Sequence, residues 1–141
     1  MALYDSTQTN ESQRSSRIYK DLNLDFQQNT ATKDIQKITD VEAVKRSVRN
    51  LINLNHYEKP FHPEIGSNLR AMLFENMTPQ MNQLISKQVE QVITNYEPRA
   101  RLVEVRTLPQ IDRNAYAVTI NFQVVNQPEP VVVEALLERL R

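Results

Sequence analysis

The sequence predicts an α+β fold: three helices packed on a small antiparallel sheet with an open edge, behind a flexible polar N-terminal arm. Three observations carry that reading. Apolar residues recur at helical spacing over 41–52 and again over 81–96. Between 116 and 124 they alternate without a fault, as in a strand with one buried face. The first 19 residues offer little to bury. Residues 20–141 are therefore expected to form one domain, with 1–19 as the arm.

The arm is Ser, Thr, Gln, Asn and charge, and should be mobile. Asp21-Leu22-Asn23-Leu24-Asp25-Phe26 then alternates strictly and reads as a short strand or extended segment. Ile35 and Ile38 mark a second, weaker extended piece. The first helix is expected over 41–55, with Asp40 as its N-cap. Val41, Val44, Val48, Leu51 and Ile52 fall within a stripe about 100° wide. Lys45, Arg46 and Arg49 flank it, and Glu42 is placed to pair with Arg46 at i,i+4.

Residues 56–66 are punctuated by Pro60, Pro63 and Gly66 and form a connection. Ser67 is expected to cap a short helix over 68–75 that presents Leu69, Met72 and Leu73. Thr78-Pro79 opens the longest helix, because threonine supplies a capping oxygen and proline at the first helical position loses only an orphan N–H. Met81, Leu84, Ile85, Val89, Val92, Ile93 and Tyr96 share its apolar face, with Lys87 and Glu90 opposite. It should end at Glu97, since the residue before Pro98 is pushed out of the α region.

The remainder reads as sheet. A strand is expected over 101–109 with Val103 and Val105 on one face. A second covers 115–125, burying Tyr116, Val118, Ile120, Phe122 and Val124, with Asp112-Arg113-Asn114 in the hairpin loop. Val131 to Val133 favour a third strand, although Val133, Leu136, Leu137 and Leu140 also make a helical stripe.

Composition narrows the function. The 17 Lys and Arg balance 17 Asp and Glu across 141 residues, so no one-signed field selects for a phosphate backbone. The single glycine, Gly66, excludes Gly-rich phosphate loops and nucleophile elbows. The absence of cysteine fits a reducing compartment and excludes thiolate metal sites. No apolar run is long enough to span a membrane, and the N-terminus lacks a signal-peptide pattern. His56 and His62 lie on a proline-broken loop without the i,i+4 geometry of a helical zinc pair, so no metal and no cofactor are expected. Glu64, Glu75 and Glu97 stand beside apolar residues; a pair of them across a groove is the remaining route to catalysis, by glycoside cleavage.

Glu97-Pro98-Arg99 is more informative. Proline fixes the backbone where the long helix ends, holding two opposite charges at a set angle. One reading is a helix stop with a local ion pair. The other is a preorganised contact in which Arg99 offers its planar fork to a partner's carboxylate or carbonyls.

Pro60-Phe61-His62-Pro63-Glu64-Ile65-Gly66-Ser67-Asn68-Leu69, Leu73-Phe74-Glu75-Asn76, the Thr78-Pro79 start and Asn95-Tyr96-Glu97-Pro98-Arg99 occur here in one order. That series resembles the baseplate-wedge and sheath-initiator family of contractile phage tails, to which the type VI secretion subunit TssE also belongs. The similarity covers about 41–125. It implies a structural, non-catalytic virion component of the tail baseplate, assembled in the host bacterial cytoplasm and present in multiple copies in a six-fold baseplate. It would join the core bundle of other wedge proteins and template the first ring of tail sheath protein, with no nucleic acid and no membrane as partner. Glu97, Pro98 and Arg99 would contact the bundle, and Glu64, Phe74 and Glu75 are further candidate partner contacts. The sheet would correspond to the sheath protein's interlocking domain, open to a partner's strand. The other function implied by family members discussed as tail lysozymes is a peptidoglycan-cleaving enzyme.

Overall fold

The structure is a computed structural model and describes residues 19–125, 127 and 129–139. Residues 1–18 of the expected arm, and Leu140, lie outside them. Two short strands, β1 (Lys20–Leu22) and β2 (Lys37–Thr39), pair antiparallel and lead into helix α1 (Asp40–Asn53). Helices α2 (Leu69–Met72) and α3 (Pro79–Tyr96) follow. The chain then forms a meander of β3 (Ala100–Gln110), β4 (Ala115–Val124) and β5 (Pro130–Glu138), with spatial order β3-β4-β5. The expected α+β architecture is present, with β4 central and both neighbours antiparallel to it.

β4 follows its alternation: Tyr116, Val118, Ile120, Phe122 and Val124 are all buried. Opposite Phe122, Ile120 and Tyr116 on β5 stand Val131, Val133 and Leu137, also buried. The C-terminal segment is thus strand, because its alternate residues complete a face that β4 already presents. α3 covers this face with Ile85, Val89 and Ile93, and α1 adds Val44, Val48 and Ile52. Leu108, Val132 and Leu136, on the other face, are exposed.

Several local expectations are corrected by tertiary contacts. Asp40 does not cap α1: Thr39 holds the cap position, and Asp40, at φ 50°, takes the backbone N–H of Tyr19 on its Oδ1 at 3.2 Å. Glu42 pairs with Lys45 at 2.9 Å, because Arg46 is drawn to Asn23 and Asp25. Ser67 does not cap α2 but donates its hydroxyl to the Ile52 carbonyl at 2.8 Å, fastening the loop to the end of α1. Leu84 lies at the margin of the α3 stripe and is exposed. The register of β3 slips between Leu102 and Glu104, a bulge that turns Val103 outward while Val105 stays buried.

The α3 boundaries follow their punctuation. Thr78 Oγ1 accepts the Met81 N–H at 3.2 Å, Pro79 sits in the first turn, and Glu97 ends the helix as C-cap. Asn114 adopts the left-handed conformation at the β3–β4 turn, which asparagine tolerates better than most residues.

Candidate functional site

The Glu97-Pro98-Arg99 corner joins α3 to β3. Glu97 N–H donates to the Ile93 carbonyl at 2.9 Å and Ala100 N–H donates to the Glu97 carbonyl at 3.1 Å, so the backbone turns once and enters the sheet. Arg99 O accepts from Val125 N–H at 3.0 Å, tying the corner to the end of β4. Glu97 is only 3% exposed, and Pro98 stands in solvent between two anchored neighbours.

A carboxylate at that depth requires partners. Arg99 supplies two parallel bonds, Nε to Oε1 at 2.6 Å and Nη2 to Oε2 at 2.9 Å, and Ser47 Oγ of α1 donates to Oε2. Burial works against the Glu97 charge. Hydrogen bonds from Arg99 and Ser47, with the charge of Arg99, outweigh it and hold the carboxyl below the ordinary glutamate range. The same bonds raise the Arg99 pKa against its own burial.

Arg99 reaches further. Its Nη1 donates to Asp21 Oδ2 at 3.3 Å, and its guanidinium carbon lies 5.5 Å from the centre of the Tyr19 ring. The side chain is 24% exposed, so its fork is engaged within the chain on Glu97 and Asp21. The corner is a buried polar knot linking α1, α3, β3 and β1 with the residue before it.

The other candidates are dispersed. Glu64 and Glu75 are exposed; Glu64 pairs with His62 at 3.0 Å, and its backbone carbonyl accepts the Tyr96 hydroxyl at 2.8 Å. Phe74 is exposed with the Arg139 guanidinium 5.0 Å above its ring. Among the described residues, no group of His, Cys, Asp and Glu could hold a metal ion, and no helix is long and apolar enough to cross a membrane.

Sequence reasoning missed Ser47, Asp21 and Tyr19 in the knot. Ser47 had a signal: at 100° per residue it lies roughly 60° from Val44, on the margin of the apolar stripe, where a small polar residue points to a buried partner. Asp21 lies 78 positions from Arg99, and no local pattern joins them.

A family model described as baseplate wedge protein gp25 matches residues 39–129. The chain belongs to the baseplate wedge protein gp25 family. The match spans the stretch where the ordered motifs placed the resemblance. Within this family, the baseplate wedge protein gp25 of Enterobacteria phage T4 is 30% identical over 115 residues, 82% of this chain and 86% of that relative. Solved structures share the fold of this gp25-family chain. A candidate tail lysozyme from Geobacter sulfurreducens superposes with a TM-score of 0.65 at 18% identity, over 71% of this chain and 91% of that one. A chain of the anti-feeding prophage baseplate gives 0.61 at 18% identity over 88% of each. One from the postcontracted pyocin R2 baseplate gives 0.51 at 16% identity, over 79% and 96%. At these identities the likeness is one of fold.

Proposed function

We propose that this baseplate wedge protein joins the core bundle of the wedges of a contractile phage-type tail and starts the sheath by offering its sheet to the first ring of sheath subunits. The supporting observation is that β5 is an edge strand of the meander, without a second partner strand among the described residues. Among the described residues β5 pairs only with β4, and a groove of about 560 Å³ lies between its middle, at Val132 to Glu134, and Lys45, Arg46 and Arg49 of α1. An edge strand beside a groove can take another strand by main-chain hydrogen bonding, with side chains setting register. The Glu97-Pro98-Arg99 corner is the proposed contact region for the bundle, with Glu64, Phe74 and Glu75 as further contacts. Assembly in the host cytoplasm into a six-fold baseplate is part of the same reading.

The competing reading is peptidoglycan cleavage, kept in view by the fold shared with a candidate tail lysozyme. A glycosidase acid needs a carboxyl whose pKa is raised. Glu58, Glu64 and Glu97 are shifted the other way: hydrogen bonds from Asn55 lower Glu58, bonds from its own backbone and His62 lower Glu64, and Arg99 and Ser47 overcome burial at Glu97. This supports the structural role.

The test is reconstitution. Baseplates assembled without this chain should not nucleate sheath, and the purified chain should restore nucleation. Normal sheath growth without it overturns the proposal, as does peptidoglycan cleavage on a zymogram that is lost in Glu64→Gln, Glu75→Gln or Glu97→Gln.

A further inference from the structure

The free side of β5 has a fixed parity. Arg139 N–H donates to the Asn114 carbonyl at 3.2 Å, and the β4–β5 register runs from Ala115 opposite Glu138 to Gln123 opposite Pro130 without a shift. In an antiparallel ladder successive residues turn their N–H and C=O groups to opposite sides. The odd-numbered residues of β5 therefore bond β4, while Val132, Glu134, Leu136 and Glu138 aim their backbone groups at the open edge. All four are exposed, and Glu134 and Glu138 make no ion pair among the described residues.

Their side chains stand on the outer face of the sheet in the order apolar, acidic, apolar, acidic. In an added strand the residue directly opposite each would lie about 4.5–5.5 Å away, near enough for charge to decide the pairing. We infer that the β5 edge selects a strand with basic residues opposite Glu134 and Glu138 and apolar residues opposite Val132 and Leu136, and that these glutamates exclude a second copy of β5. The exclusion is a matter of register. Antiparallel pairing of two β5 edges about Glu134 sets that carboxylate against its own copy, and pairing about Leu136 sets Glu134 against Glu138. The register between them sets Glu134 against Leu136 and Glu138 against Val132. Charge on an edge strand discourages pairing in general, but the spacing here leaves one complementary pattern.

The inner side of the edge enforces the same parity. Two grooves, of about 560 and 210 Å³, run along β5 at Val132 to Glu134 and at Leu136 to Glu138. α1 lines the first with Lys45, Arg46 and Arg49; Glu42 matches Lys45 and Asp25 matches Arg46, while Arg49 has no ion pair among the described residues. Leu69 and Leu73 line the second. A strand slipped by one residue would turn its basic side chains onto the cations of α1 and onto these leucines. That the strand belongs to a sheath subunit rests on the function proposed above; the charge pattern is set by β5 and α1 alone.

The experiment is binding of synthetic strand peptides to the full-length chain. One peptide carries leucine alternating with lysine on one face and valine on the other; in its control, glutamate replaces lysine. The lysine peptide should bind about tenfold more tightly, because two cross-strand attractions become repulsions in the control. High salt should shrink that preference. Bound peptide should slow hydrogen exchange at the amides of Val132, Glu134, Leu136 and Glu138, the four that face the edge. The double variant Glu134→Lys, Glu138→Lys changes exposed positions only, so it should melt like the native chain and prefer the glutamate peptide. Equal binding of the two peptides, binding of neither, or protection elsewhere overturns the inference. So does a native chain whose dimers protect these four amides, or whose monomer protects them already. The proposed function falls by a different result, sheath growth on baseplates that lack the chain, which leaves the selection of peptides by charge intact.

Discussion

Arg99 grips Glu97 with two donors, Nε to Oε1 at 2.6 Å and Nη2 to Oε2 at 2.9 Å, across an exposed proline. Three consecutive residues thus hold a buried anion, a rigid backbone and its counter-ion. Removing one member of such a pair is expensive because the other charge is left without compensation. Arg99→Ala should lower unfolding free energy by about 3 kcal/mol or more. Arg99→Lys should lie between, since lysine brings a charge without the planar fork. Urea denaturation of the three proteins checks this; a loss below about 1 kcal/mol would mean that solvent screens the pair as at an open surface.

The same pair sets a pH dependence. Glu97 titrates below the ordinary glutamate range in the folded chain, because its bonds from Arg99 and Ser47 overcome burial. A depressed folded pKa gives stability that is present above the unfolded value and lost as pH falls through the folded value. The guanidinium stays charged throughout. The stability gap between the native chain and Glu97→Gln should therefore be widest near neutrality and narrow on acidification below about pH 4.5. Melting curves that stay parallel across that range would show that the Glu97 charge is not what the corner stabilises.

Along α3, burial ranks the substitutions. Ile85 is fully buried and Val92 nearly so, while Leu84 and Lys87 are exposed. Ile85→Ala should cost about 2–5 kcal/mol, with Val92→Ala somewhat less because fewer methyl groups are lost. Leu84→Ala and Lys87→Ala should remain within about 0.5 kcal/mol of native. Thermal melting of the four variants is the measurement; a Leu84→Ala loss equal to that of Ile85→Ala would place the apolar stripe one position away.

Gly66 closes the loop between α1 and α2 at a φ of 148°. A Cβ there would stand 2.6 Å from the Asn55 carbonyl carbon and 2.8 Å from the His56 nitrogen. Both atoms are backbone, and Ser67 N–H donates to the Leu54 carbonyl at 2.7 Å just beyond, so neither side can retreat. Gly66→Ala should destabilise by about 1–3 kcal/mol, and Gly66→Asn should not rescue it, because the obstacle is contact as well as dihedral strain. Stability equal to native in either variant would show that this loop yields.

Some of this molecule is determined by neighbouring residues alone, and there the sequence suffices. α3 begins where Thr78 and Pro79 stand and ends before Pro98, because capping and the pre-proline restriction act over one to three residues. β4 buries alternate residues because the strand repeat is two, and no partner can change that parity without a bulge. Such a bulge, at Val103, was invisible, since it reflects how β3 meets β4 rather than anything in its own period. The β5 ambiguity had the same origin: Val131 to Leu137 suit helix or strand, and the vacant side of β4 decided between them. The family was legible because its motifs are local and ordered. The character of the corner was not. Glu97-Pro98-Arg99 could be read from the chain, yet only packing showed that Glu97 is buried, that Ser47 and Asp21 complete its network, and that Arg46 bonds Asn23 and Asp25. Hydrogen bonds and desolvation act over a few ångströms in space, and here those ångströms join residues 21 to 78 positions apart in the chain.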